Sequence, residues 1–169
     1  MHCIRGFIGK EEIIKAFTDN WVEAKPVTLY QGLAIIFLTR KLYDDIEELA
    51  NSKIDTEYSQ FFEYLSPSIY EILVQESRIG KLAYIEIDYF GGCGSQSAIL
   101  FENSKIKIQQ IKIQQIKTET LWDEKTYNYY HKPEGEKAIN IVLKELGVYK
   151  VKGKDEFDSI GLGKYRHID

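Results

Sequence analysis

Two strand-like segments lie almost back to back in this chain, the alternating Tyr84–Phe90 and the apolar Ala98–Phe101, with three glycines among residues 91–94 between them. Nothing else in the sequence constrains the fold as much. Across residues 84–90 polar and apolar side chains alternate. On a strand this puts Tyr84, Glu86 and Asp88 on one face and Ile85, Ile87 and Tyr89 on the other. Glycine tolerates a left-handed backbone and lets another chain or ligand come close, so a strand, a glycine turn and a second strand are expected. Glu86 and Asp88 then stand as candidate ligand- or partner-binding residues, with Gly91, Gly92, Gly94, Ser95 and Gln96 in the adjoining turn. Paired carboxylates can hold a divalent cation, or one can stay protonated beside the other. The same pair also suits a solvated sheet face or cross-strand partners, which is the commoner use.

The remaining pattern reads as alternating helices and strands. His2 to Ile8 forms a first strand, with Gly9 as its break. Ile13, Ile14, Phe17 and Trp21 recur at helical spacing over residues 10–21. Pro26–Tyr30 and Leu33–Leu38 read as strands joined at Gln31-Gly32, a hairpin signal, and the second is apolar on both faces, as a central strand is. Thr39 is placed to cap a helix carrying Leu42, Tyr43, Ile46, Leu49 and Ala50. Ser66-Pro67 opens another helix, which Gly80 closes. Pro133 to Leu146 forms the last helix, ended by Gly147. The order β-α-β-β-α-α-β-β-β-α indicates an α+β fold, a single domain over residues 1–169 with helices on a mixed, mainly antiparallel sheet.

The tandem pentapeptide Ile106-Lys-Ile-Gln-Gln and Ile111-Lys-Ile-Gln-Gln breaks this regularity. Its odd length reverses side-chain parity between copies, so a bulge or turn is expected at one Gln-Gln pair, with Lys107 and Lys112 exposed.

Composition narrows the functional classes. The net charge of −4 disfavours nonspecific nucleic-acid binding, which needs clustered cations to displace counterions. Lys105, Lys107, Lys112 and Lys117 with Tyr127, Tyr129 and Tyr130 resemble a nucleic-acid surface, yet lysines alternating with isoleucines are more often the wet face of an edge strand. No apolar run approaches a bilayer-spanning length of about 20 residues, so no membrane association is expected. Cys3 and Cys93, far apart, read as reduced thiols, which places the protein in the cytoplasm. His2, His131 and His167 have no zinc-ligand spacing, and no cofactor or metal is expected. Gly92-Cys-Gly94 lacks the following helix of a dinucleotide site. Gly161-Leu-Gly163-Lys164 fails as a phosphate loop, because Asp158 stands where a glycine is needed and Tyr165 where Ser or Thr would bind magnesium.

At Cys3–Phe7, Tyr84–Ala98 and Asp155–His167 the chain resembles a family of uncharacterised small bacterial proteins. That family is marked by an aromatic-Gly-Gly-x-Gly-x-Gln-x-Ala turn and a Gly-Leu-Gly-basic-x-Arg-His tail. In size and composition the chain is also similar to immunity proteins, which neutralise a partner toxin through an acidic surface. The expectation is a non-catalytic cytoplasmic binding protein with a protein partner such as a bacterial toxin. The alternative is a small enzyme or small-ligand binder using residues 91–96 with Glu86 and Asp88.

Overall fold

The computed structural model describes residues 2–49, 62–90, 93–104, 118–123, 128–133 and 137–165. Five strands form one sheet: β1 (His2–Lys10), β2 (Pro26–Thr28), β3 (Leu33–Phe37), β4 (Leu82–Phe90) and β5 (Cys93–Phe101). Their order is β2-β3-β1-β4-β5, and every neighbouring pair is antiparallel, so the sheet is not mixed. A separate two-stranded sheet pairs β6 (Thr118–Asp123) with β7 (Asn128–Pro133).

Helices cover both faces of the large sheet. On one face α1 (Glu11–Thr18), α2 (Arg40–Leu49) and α3 (Pro67–Glu76) enclose a core with Phe7, Ala34, Ile36, Tyr84, Ile99 and Phe101. On the other, α4 (Ala138–Glu145) and residues 160–162, just after the short helix α5 (Glu156–Ser159), pack on Ile4, Ile8, Ile35, Ile85, Ile87 and Leu100. Burial of both faces explains the unbroken apolar run of β3, all five residues of which are buried. The hydrophobic effect leaves no position there for a polar side chain.

Local signals account for the helix boundaries. The Ser66 hydroxyl accepts a bond from the Ile69 amide at 3.1 Å, and Pro67 fills the first helical position of α3. The Thr39 hydroxyl accepts from the Leu42 amide at the start of α2. Gly147 takes φ +91° after α4, the left-handed stop that glycine adopts without a Cβ penalty.

Several boundaries differ from the sequence expectation. Gly9 does not break β1, which continues to Lys10 because Gly9 pairs with both Ala34 and Leu82. Pro133 ends β7 and α4 starts only at Ala138; the proline lies at a strand end, where it need not donate to a ladder. The β6–β7 hairpin is an element that the lysine and tyrosine pattern of residues 105–130 did not resolve. The pentapeptide repeat and its expected bulge lie outside the described residues, as do Gly91 and Gly92.

Candidate functional site: an acidic cleft at one end of the sheet

Strand register builds the site. Cys3 of β1, Asp88 of β4 and Ser95 of β5 are lateral neighbours, and so are Arg5, Glu86 and Ser97 one pleat further in. The next such row, Phe7, Tyr84 and Ile99, is fully buried beneath helices. The face therefore changes from apolar to polar along its strands. Where it becomes polar, the turn Phe62-Glu63-Tyr64 folds over it. These walls enclose a cleft of about 260 Å³ lined by Cys3, Arg5, Glu63, Tyr64, Glu86, Asp88, Ser95 and Ser97, among others.

Glu86 holds that turn in place. Its Oε2 accepts from the Glu63 amide at 2.7 Å. Its Oε1 accepts from the Tyr64 amide at 2.8 Å and from the Tyr84 hydroxyl at 2.9 Å. Burial pushes the Glu86 carboxyl above its ordinary value, against the pull of those donors, which favour the charged form. The Tyr84 phenol is raised well above its usual range, first by burial and then by the neighbouring Glu86 charge.

Arg5 is the cation inside the cleft. Its guanidinium lies 3.8 Å from the centre of the Tyr64 ring, and its Nε donates to the Leu38 carbonyl at 3.1 Å. Stacking and hydrogen bonding thus fix the fork before any ligand arrives. Tyr64 meets Tyr43 of α2 edge to face at 5.9 Å. Tyr43 titrates above its usual range because of burial, followed by the charges of Glu47 and Asp44. Two acids, Glu63 of the turn and Asp88 of β4, are exposed among the residues that line the cleft.

Cys3 is a free, half-buried thiol. Burial raises its pKa, Arg5 opposes, and Asp88, Glu63 and Glu86 add to the rise. A thiol in such surroundings stays protonated and is a poor nucleophile. Among the described residues no group of three or more His, Cys, Asp or Glu is placed to hold a metal ion.

The sequence-level candidates separate in space. Glu86, Asp88 and Ser95 do line one cleft, with Asp88 exposed and Ile85 and Ile87 in the opposite core. Gln96 points to the other face, is buried, and shares a hydrogen bond with the Tyr89 hydroxyl. Gly94 is a strand residue outside the left-handed region; a Cβ there would lie 2.0 Å from the Asp88 carbonyl oxygen. Close approach of β4 and β5, not backbone conformation, accounts for it. Arg5, Glu63, Tyr64 and Ser97 escaped the sequence reading. Arg5 did carry a signal, as the one charged residue in the apolar run of β1, but its neighbours come from strands about 80 residues away.

The chain matches no family model, no curated protein and no solved structure. Its own geometry defines its class: an α+β protein with an antiparallel sheet between helical layers and an acidic cleft at one sheet end.

Proposed function

We propose that the protein is a non-catalytic binding protein of the immunity type, one that presents the acidic cleft to a basic surface of a bacterial toxin in the cytoplasm. The observation that carries this reading is the engagement of Glu86. The Glu63 and Tyr64 amides and the Tyr84 hydroxyl occupy both of its oxygens, so the carboxylate is committed to shaping the cleft. The acids left at the rim, Asp88 and Glu63, are exposed, and tyrosines beside them suit a protein interface. Such charges steer a basic partner and set specificity.

The test is co-expression with the toxic product of an adjacent gene. Wild-type protein should restore growth, and Glu63→Lys with Asp88→Lys should abolish protection at unchanged melting temperature. Protection that survives both reversals places recognition elsewhere.

A second reading, a small-ligand site, draws on the cleft volume and on the Ser95 and Ser97 hydroxyls facing it. In that case Asp88, not Glu86, is the available base. Asp88→Asn would then abolish ligand-induced stabilisation against a small-molecule panel, whereas no stabilisation by any compound would leave the cleft to a protein partner.

A further inference from the structure

The opposite end of the sheet carries a second surface of opposite sign. It is built from the β2–β3 hairpin tip, the loop 149–154 and the turn 160–165. Gln31 joins the first two: its Nε2 donates to the Tyr149 carbonyl at 2.9 Å and its Oε1 accepts from the Tyr149 amide at 3.0 Å. The Tyr30 amide donates to the Ile160 carbonyl at 3.1 Å, and Lys164 Nζ donates to the Tyr30 hydroxyl at 2.8 Å. A turn closed by the Lys154 amide on the Val151 carbonyl, with Gly153 at φ +81°, presents Lys152 and Lys154 outward. The turn is anchored where the Val151 amide donates to the Ser159 hydroxyl.

In sequence Lys150, Lys152 and Lys154 run directly into Asp155, Glu156 and Asp158, and folding gives most of these acids partners. Asp155 caps α5, accepting from the Asp158 amide and from Lys137 and Asn140. Glu156 is only 2% exposed and lies between Lys144 and Lys150 at 3.6 and 3.7 Å. The Asp158 carboxylate lies against Gly163. What faces outward is Lys152, Lys154 and Lys164, with Asp158 the one exposed acid of the stretch, and beside them Tyr149 at 67% exposure and Val151 at 44%.

We propose that this lysine-rimmed apolar tip docks an acidic protein segment in which carboxylates alternate with apolar side chains. Lys152 and Lys154 share the turn of Val151, and Lys164 is held on the Tyr30 side of the same tip, so carboxylates can meet cations while apolar groups cover Tyr149 and Val151. A nucleic-acid strand fits less well. Nucleic-acid strands stack successive bases on several open aromatic faces; here Tyr149 is exposed, but the Tyr30 ring carries the Lys164 ammonium, 4.6 Å from its centre, and Gly161 packs closely on it. The surface is distinct from the acidic cleft, so the inference stands independently of the proposed function.

The experiment titrates the full-length protein at low salt with three labelled probes: a peptide alternating Glu and Val, a peptide alternating Lys and Val, and an oligothymidylate. Binding is read by anisotropy and by amide shifts. The Glu-Val peptide should bind best and shift amides of residues 149–154 and 161–165. Lys152→Glu with Lys154→Glu should weaken it about tenfold or more, as charge reversal within a docking surface does. Tyr149→Ser with Val151→Ser should also weaken it, which bulk electrostatics would not produce, and Lys15→Glu with Arg40→Glu, both on the opposite helical layer, should leave it unchanged. The proposal is overturned if the oligothymidylate binds more tightly, if the control reversal weakens the peptide equally, or if no probe shifts these amides. Mass that rises with protein concentration and falls with Lys154→Glu would overturn it in favour of a second copy of this chain.

Discussion

Glu86 supplies two oxygens to three donors, and two of these are backbone amides of a turn with no regular structure to satisfy them. Glu86→Ala should cost about 2 kcal/mol or more in urea denaturation, because buried donors lose their partner. Glu86→Gln keeps one acceptor but turns an amide N–H₂ toward a donor, so it should recover only part of that loss. The pH dependence has a definite sign. With the folded carboxyl raised above 4.5, the native state holds its proton more tightly than the unfolded chain. This contribution is full below the unfolded value and declines as pH climbs through the folded one. Urea midpoints from pH 4.5 upward should therefore fall more steeply for the wild type than for Glu86→Gln, and equal slopes would show that Glu86 titrates normally. Gly94 presents the simpler case. Gly94→Ala forces a methyl group against the Asp88 carbonyl and Tyr89 Cα. Overpacking of this kind costs about 1–3 kcal/mol, measurable as a lower denaturation midpoint.

At the scale of elements, the hairpin between β2 and β3 shows how a local signal and a distant contact combine. Gln31 and Gly32 both take left-handed backbone, at φ +62° and +71°. Glycine adopts this freely and glutamine does not. The two bonds from Gln31 to the Tyr149 main chain offset the strain, so Gln31→Ala should speed hydrogen exchange at the Tyr149 amide and lower stability by about 1 kcal/mol. Gln31→Gly removes the same clamp but also the strain, and should cost less. Equal losses would assign the effect wholly to the clamp. The turn was legible in advance because left-handed backbone has a compositional signature; the clamp was not, because its partner lies 118 residues away. The helices divide the same way. Ser66-Pro67 announced α3, and Ser66→Ala should cost about 1 kcal/mol. Pro133, by contrast, suggested a helix start where β7 ends, since proline suits both positions.

Over the whole molecule the sheet lies between two helical layers, so its inner strands should exchange most slowly. Amides of β1 and β4 should outlast those of β2, an edge strand of three residues. Exchange of β2 as slow as β1 would mean that something covers that edge. The alternation over residues 84–90 placed Ile85 and Ile87 on one side and Glu86 and Asp88 on the other, because side-chain parity in a strand is a local property. The α+β class followed equally from periodicity. Local pattern could not reveal that Tyr84 faces a second core and that Glu86 holds a turn over a cleft, since that depends on α1 to α3 and the turn at 62–65 closing over that face. Nor could it tell that Asp155 and Glu156 turn inward while Lys152 and Lys154 turn outward, leaving an acidic cleft at one end and a lysine tip at the other. Hydrophobic periodicity is written in neighbouring residues, whereas the sign of a surface depends on which charges find partners across the fold.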